Sequence, residues 1–150
     1  MADDMTDYAR RNRNRGYRDL RVWQEAIAYY KLTVEVFRGF DGELRRIASQ
    51  ALASADSVHR NIAEGYCRRS LREYLNFINY ALGSMGESVS GAHAYLEAGQ
   101  LSNASFERLD ELAFKLENGL IRLRDSLNQQ DAAEWSDRRV IKESNATYDA

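Results

Sequence analysis

Residues 70–99, SLREYLNFINYALGSMGESVSGAHAYLEAG, carry the pattern that decides the fold of this chain. Apolar side chains recur there at steps of three and four, which is the period of one buried helix face. These side chains are Tyr74, Phe77, Ile78, Ala81, Met85, Val89, Ala92 and Leu96. Ser70 and Glu73 form a capping-box pattern that predicts the start of a helix, and Gly99 predicts its end.

Three further stretches of the chain show the same period. They cover residues 19–38, residues 42–64 and a final stretch that starts after Ser102 or Asn103 and ends at Leu127. Each is long enough for five or more helical turns, at about 3.6 residues per turn. The sequence therefore predicts four long helices.

The expected helix ends rest on capping residues. Asp19 is the expected N-cap of the first helix, and Gly39 is expected to end it. Gly65 is expected to stop the second helix in the same way. Connections of three to five residues between long helices force neighbouring helices to be antiparallel. We therefore expect an all-α fold, an antiparallel up-down-up-down four-helix bundle.

Composition supports this fold class and sets the domain boundaries. The 150 residues contain no proline, where average usage would supply about seven or eight. Proline-rich linkers and many-turned β folds are therefore disfavoured. We expect a basic flexible arm over residues 1–16, the bundle over residues 17–128 and a polar flexible tail over residues 129–150.

The chain has the composition of an ordinary globular domain, with 44% hydrophobic and 29% charged residues. No apolar run approaches the roughly 18 residues that span a bilayer, and no signal peptide is visible at the N-terminus. Cys67 is the single cysteine, so no intrachain disulfide can form. We expect a cytoplasmic protein that has no membrane partner.

Charge is unevenly distributed along the chain. Residues 1–72 hold 13 Arg, one Lys and 10 acidic residues, a net charge of +4, whereas residues 73–150 hold seven basic and 13 acidic residues, a net charge of −6. Arginine suits bidentate contacts to phosphate and stacking on bases. The arginine-rich N-terminal stretch is interpreted as an electrostatic arm for RNA or DNA. The alternatives are a solvated tail and a tail that pairs with the acidic C-terminal half.

Up-down topology predicts where the arginines meet. The first helix begins at the end of the bundle where the second finishes and the third begins. Arginines of the arm, of the first helix and of the turn between the second and third helices should therefore converge, interleaved with Tyr66 and Tyr74. The candidate nucleic-acid-binding residues are Arg10, Arg11, Arg13, Arg15, Arg18, Arg21, Arg60, Arg68, Arg69 and Arg72. The alternative is that nearby carboxylates, such as that of Glu64, neutralise them.

The third helix contains three internal glycines, Gly83, Gly86 and Gly91. Each costs a helix roughly 1 kcal/mol relative to alanine. Close approach of the second and third helices would explain them, and a notch that faces a ligand is the alternative.

Four segments resemble a known family. They are residues 17–24 (YRDLRVWQ), 57–66 (SVHRNIAEGY), 69–74 (RSLREY) and 81–87 (ALGSMGE). The sequence is similar in these segments to the four-helix-bundle family of the 23S rRNA intervening-sequence protein. The resemblance covers roughly residues 17–127, and its structural motif residues are Asn61, Glu64, Gly65, Gly83, Ser84 and Glu87.

The resemblance implies an antiparallel four-helix bundle that assembles as a homopentamer. Family genes are often found inside insertions of bacterial 23S rRNA genes, and no biochemical activity is established for the family at large. A related branch, the accessory variability proteins of diversity-generating retroelements, binds a reverse transcriptase and nucleic acid through a basic bundle surface.

Enzyme signatures are missing from the sequence. His59 and His93 lack the paired Glu-x-x-His motifs of di-iron bundles, and Cys67 with His59 lacks a third metal ligand. No phosphate loop or nucleophile elbow occurs. We therefore expect no catalytic residue, metal or cofactor.

Three functions are considered. The first is a non-enzymatic, homo-oligomeric, nucleic-acid-associated adaptor of the rRNA type. The second is an accessory subunit that binds a reverse transcriptase of a diversity-generating retroelement, and the third is a purely structural oligomer.

Overall fold

Each of the four periodic stretches forms one helix in the computed structural model, which describes residues 9–130. The helices are α1 (Arg21–Phe37), α2 (Arg45–Cys67), α3 (Leu71–Glu97) and α4 (Asn103–Asn128). Two 3-10 helices precede α1 and α2, at Arg13–Asp19 and Gly42–Leu44. No strand occurs between residues 9 and 130, so the all-α prediction is confirmed. Residues 1–8 of the expected arm and residues 131–150 of the expected tail lie outside the described residues.

The four helices pack in a ring, each against the two beside it. Side-chain contacts give their directions. The Ser57 and Ser84 hydroxyls of α2 and α3 are 2.9 Å apart, and Gly65 near the end of α2 faces Phe77 near the start of α3, so these helices run antiparallel. Arg108 of α4 contacts Glu35 near the end of α1, which is the register of an antiparallel pair. The Tyr29 side chain extends from α1 across the interior to α3, where its hydroxyl oxygen lies 2.7 Å from the Ser88 hydroxyl oxygen. This is the arrangement of an up-down-up-down bundle.

Aliphatic side chains from the predicted apolar stripes fill the interior. Val58, Ile62, Ile78, Leu116 and Leu120 are all completely buried. Burying one such side chain contributes about 1.5–3 kcal/mol relative to leaving it exposed. The stripes therefore hold the four helices together along their length.

Several predicted helix ends are confirmed by their hydrogen bonds. The Ser70 hydroxyl accepts a hydrogen bond from the Glu73 backbone N–H, at 3.3 Å. Ser102 caps α4 in the same way through the Ser105 N–H, at 3.1 Å. Gly39 and Gly99 follow α1 and α3 with φ angles of +85° and +72°, a conformation that favours glycine.

Two predicted helix ends are wrong. Leu20, and not Asp19, is the N-cap of α1, because Asp19 belongs to the preceding 3-10 helix. Gly65 does not stop α2, which continues to Cys67. A Cβ atom at position 65 would lie 2.7 Å from the Phe77 Cβ atom of α3. Gly65 therefore serves the close approach of two helices rather than a helix end.

The expected close approach at the glycines of α3 is also wrong. A Cβ atom at Gly83 or Gly86 would meet no atom within 4 Å, and one at Gly91 would meet only Tyr95 of the same helix. Gly83 and Gly86 lie on the exposed side of α3, away from the face that Ala81 and Met85 bury. These glycines leave an open surface on the bundle.

Candidate nucleic-acid interface

The N-terminal 3-10 helix packs against the end of α2. The Cys67 thiol donates a hydrogen bond to the Asn14 carbonyl, at 3.1 Å. Gly16 lies against the hydroxyl end of the Tyr66 side chain, so close that a Cβ atom at Gly16 would fall 2.1 Å from the Tyr66 hydroxyl oxygen. The Tyr17 ring contacts the Trp23 ring of α1, with centroids 5.4 Å apart. The arm predicted for residues 1–16 therefore needs correction: residues 13–16 are part of a docked helix because these contacts hold them.

This packing places the first arginines on a fixed segment. Arg10 and Arg11 are exposed in the stretch that leads into the 3-10 helix, and Arg13, Arg15 and Arg18 lie on the helix itself. Asn12 is the N-cap of this helix, and its side chain accepts a hydrogen bond from the Arg15 N–H, at 3.1 Å. Arg21 follows as the exposed first residue of α1.

The turn between α2 and α3 supplies the second group of arginines. Arg68 forms ion pairs with Glu64, at 2.8 Å, and with Glu73, at 3.9 Å. Its guanidinium also lies over the Phe77 ring, 5.1 Å from the centroid. Arg69 and Arg72 are exposed and have no ion pair with a carboxylate of residues 9–130. Arg68 thus joins the two helices, while Arg69 and Arg72 face solvent.

Arg60 lies two turns before the end of α2 and has a local partner. Its guanidinium contacts Asp56 at 2.6 Å, and the His59 ring contacts the same carboxylate at 2.8 Å. Burial acts to raise the pKa of Asp56, but the hydrogen bonds from His59 and Arg60 outweigh burial and lower the pKa below its ordinary value. Arg60 is therefore largely neutralised by Asp56.

The end of α4 adds two arginines that sequence analysis missed. Arg122 and Arg124 lie in the last two turns of α4, and Arg124 contacts Asp125 at 3.5 Å. Since α4 packs antiparallel to α1, its last turns lie beside the first turn of α1. The up-down topology was the signal that could have found them. We call the surface formed by residues 10–21, residues 66–73 and residues 122–125 the basic end.

The motif residues of the middle of the bundle form a separate contact. The Asn61 side-chain amide donates hydrogen bonds to the backbone carbonyl and the hydroxyl of Ser57, at 2.8 and 3.0 Å. The Ser57 hydroxyl in turn contacts Ser84 of α3. Gly83 and Glu87 are exposed and take no part in this contact. The six motif residues therefore do not form one site.

Between residues 9 and 130, no group of three or more His, Cys, Asp or Glu side chains could hold a metal ion. Burial raises the pKa of Glu117, and the nearby charge of Asp110 raises it further. None of the described helices is both long and apolar enough to cross a membrane.

Comparison with known proteins gives the family. Residues 18–122 match the profile described as 23S rRNA-intervening sequence protein. The chain belongs to this family. A crystal structure from Bacteroides thetaiotaomicron VPI-5482, of a protein with unknown function from the S23 ribosomal protein family, has a similar fold, with a TM-score of 0.65 and 18% sequence identity. The match covers 69% of this chain and 95% of that one. No curated protein matches the chain.

The family match covers most of the bundle. The match begins at Arg18, within the N-terminal 3-10 helix, and ends within α4. Most of the N-terminal 3-10 helix, with Arg13 and Arg15, therefore precedes the residues that match the 23S rRNA-intervening sequence family.

Proposed function

We propose that this protein is a non-enzymatic, homo-oligomeric adaptor that binds RNA through the basic end. The convergence of arginines from three chain segments on one end of the bundle supports the proposal. Arginine side chains bind phosphate groups through planar, bidentate contacts. The family name, which refers to ribosomal RNA, favours RNA over DNA as the partner.

The charge balance of the basic end favours a polyanion. Residues 10–21 contain six arginines and one acidic residue, Asp19. Arg69 and Arg72 extend the positive surface without an ion pair in the described chain. Each phosphate that such a surface neutralises releases counterions, so binding weakens as salt increases.

A matched pair of charge reversals tests the RNA proposal. R69E/R72E changes the basic end, and R45E/R46E makes the same change in charge at the opposite end of α2. We expect R69E/R72E to weaken binding of a fluorescein-labelled oligouridylate by at least about tenfold in anisotropy titrations at 50 mM salt, and R45E/R46E to change it much less. Equal effects of the two variants, or no salt-dependent binding by the unaltered protein, would refute the proposal.

Self-association is the second part of the proposal, and the exposed side of α3 and α4 supports it. Phe114 is 67% exposed and Ile121 is 37% exposed, both on α4. Phe106 of α4 contacts His93 of α3, with ring centroids 4.7 Å apart. Because α3 and α4 are antiparallel, two turns forward along α4 from Phe106 and two turns back along α3 from His93 bring Phe114 level with Gly86. One face thus carries a projecting aromatic ring beside an open glycine surface.

We propose that a second copy of the chain covers this face. The Phe114 ring of one copy can enter the space that Gly83 and Gly86 leave open in the other. The family resemblance implies a pentamer, and this is the assembly we propose, with Phe114 of each copy against the glycine surface of the next in a head-to-tail ring. Such a ring would repeat the basic end and raise its avidity for a long RNA. Light scattering tests this: we expect F114D to yield monomers and K31E, at an exposed position of α1, to leave the oligomer intact. A monomeric unaltered protein would refute the proposal.

A further inference from the structure

Tyr80 presents an aromatic ring to solvent on α3. It is 58% exposed, whereas the other tyrosine and phenylalanine side chains of α3, Tyr74, Phe77 and Tyr95, are buried or half-buried. A single exposed aromatic side chain is ordinary on a protein surface. The contacts and charges around Tyr80 distinguish it from such a side chain.

The Tyr80 ring is positioned by Phe77, about one turn earlier on α3. The two rings meet at 90° with their centroids 5.6 Å apart, a favourable edge-to-face geometry. Phe77 is itself held in place, because it packs against Gly65 of α2 and its ring lies beneath the Arg68 guanidinium, 5.1 Å from the centroid. Phe77 can cover at most one of the two faces of the Tyr80 ring. Tyr80 therefore offers a flat, positioned surface to a ligand.

A row of exposed side chains connects Tyr80 with the basic end. Arg72, Asn76 and Tyr80 follow each other at steps of four residues and are all exposed, so they lie along one side of α3. Eight residues of helix place Arg72 and Tyr80 about 12 Å apart along the axis. Positive charge and an exposed ring thus follow each other along the same line.

The carboxylates near this row are occupied by a different arginine. Glu64 and Glu73 are the acidic residues between positions 64 and 73, and both contact Arg68, at 2.8 and 3.9 Å. Arg69 and Arg72 are exposed and form no ion pair within the described part of the chain. These two guanidinium groups can therefore bind phosphate without first breaking an ion pair.

We propose that Tyr80 stacks on an unpaired base of a single RNA strand whose phosphate groups contact Arg69 and Arg72. This inference rests on the proposed function and deepens it, because it names a single strand as the form of RNA that is bound. Single-strand sites combine positive charge along the backbone with aromatic rings on which bases stack. The bases of a duplex already stack on one another, so a duplex has no free base face for Tyr80. The Asn76 amide, between the arginines and the ring, can both donate to and accept from a base edge.

Tyr80 lies away from the face that we assign to self-association. Phe77 faces Gly65 of α2, so its neighbour Tyr80 lies on the α2 side of α3. Gly86 lies about two turns before His93, on the side of α3 that contacts α4. A base on Tyr80 and a second copy at Gly86 therefore occupy different sides of α3.

Removal of the ring tests the inference without a change in charge. We expect Y80A to bind a fluorescein-labelled oligoadenylate at least about fivefold more weakly than the unaltered full-length protein in anisotropy titrations. Y80F is the matched control, because it keeps the ring, and should bind within about twofold of the unaltered protein. An RNA duplex of the same length should bind Y80A and the unaltered protein with affinities within about twofold of each other.

A second variant keeps the experiment decisive if Y80A does not fold. Y80L keeps an apolar side chain at this position but has no aromatic face, so it should lose as much affinity for the strand as Y80A. Equal affinities of Y80L and the unaltered protein for oligoadenylate, or equal losses for strand and duplex, would overturn the inference. Light scattering should give the unaltered mass for each variant. A lower mass would show that Tyr80 contacts a second copy, which would also overturn it.

The salt dependence separates this inference from the proposed function. Y80A should leave the slope of log affinity against log salt unchanged, whereas R69E/R72E should make the slope shallower. If R69E/R72E weakens binding and Y80A does not, the basic end still binds RNA and only the stacking on Tyr80 fails. If the unaltered protein binds neither the strand nor the duplex, the proposed function fails together with this inference.

Discussion

Gly65 offers a direct test of how α2 and α3 pack. A Cβ atom at this position would lie 2.7 Å from the Phe77 Cβ atom and 3.3 Å from the Tyr74 carbonyl oxygen. Carbon atoms pack best at about 3.5–4.0 Å, so G65A requires the two helices to separate locally by roughly 1 Å. Overpacking of this kind destabilises the fold by about 1–3 kcal/mol. The higher helix propensity of alanine over glycine offsets at most about 1 kcal/mol of this loss. We expect a net loss of about 1–2 kcal/mol in the free energy of unfolding.

The matched control is G83A, which makes the same change in an exposed part of α3. Both substitutions are compared in the F114D background, so that the proposed contact of Phe114 with Gly83 of a second copy does not affect the result. With no atom within 4 Å, this substitution gains helix propensity and should stabilise the protein by about 0.5–1 kcal/mol. Thermal unfolding at one low protein concentration should then place G65A roughly 6–10 °C below G83A in Tm. A G65A variant at least as stable as G83A would refute the close approach of the two helices.

Three further predictions concern single side chains. S84L replaces the hydroxyl that contacts Ser57 with a larger apolar group at the half-buried α2–α3 contact, and should lower stability by about 1–3 kcal/mol in urea titrations; an unchanged midpoint would contradict this. Burial raises the pKa of Glu117, so ionisation of this carboxyl lowers the stability of the fold as the pH rises above the ordinary pKa of 4.5. E117Q should therefore raise Tm by about 1–2 °C at pH 7 and leave Tm unchanged below pH 4.5. An equal gain in Tm at the two pH values would count against this. Hydrogen bonds lower the pKa of Asp56, so the ionised carboxylate stabilises the fold fully above the ordinary pKa of 3.8, and this stabilisation is lost as the pH falls. D56N should lower Tm by about 1–2 °C at pH 7 and by less near pH 2. A larger loss of Tm in acid would disprove the argument.

The four long helices could be predicted because their apolar side chains repeat with one period. The buried side chains Ile62, Ile78 and Leu116 all come from the stripes that sequence analysis identified. The serine caps of α3 and α4 are likewise local patterns, in which the side chain bonds a backbone N–H three residues later.

The missed features depend on contacts between distant residues. The 3-10 helix of Arg13–Asp19 has no buried residue and no apolar period, and it is held by Tyr66 and Cys67, about 50 positions later. The role of a glycine likewise depends on the neighbour it faces. Gly65 faces Phe77, whereas Gly83 faces open space, and local sequence alone does not distinguish them.

The candidate site was partly predictable for a topological reason. Once four antiparallel helices are inferred, the start of α1 and the α2–α3 turn must share an end, which brings Arg21, Arg69 and Arg72 together. The same argument extends to Arg122 and Arg124, although they lie in the half of the chain that carries a net negative charge. That Arg60 pairs with Asp56, by contrast, became visible only in the structure.

Photocrosslinking tests most directly whether RNA lies at the basic end. The full-length protein would be crosslinked to an oligouridylate that contains 4-thiouridine, and the adducts would be mapped by mass spectrometry. We predict saturable adducts within residues 10–23 and 66–74, lost when salt is raised from about 50 to about 200 mM. Adducts concentrated at the opposite end of the bundle, around Phe40 and Tyr95, would contradict the account.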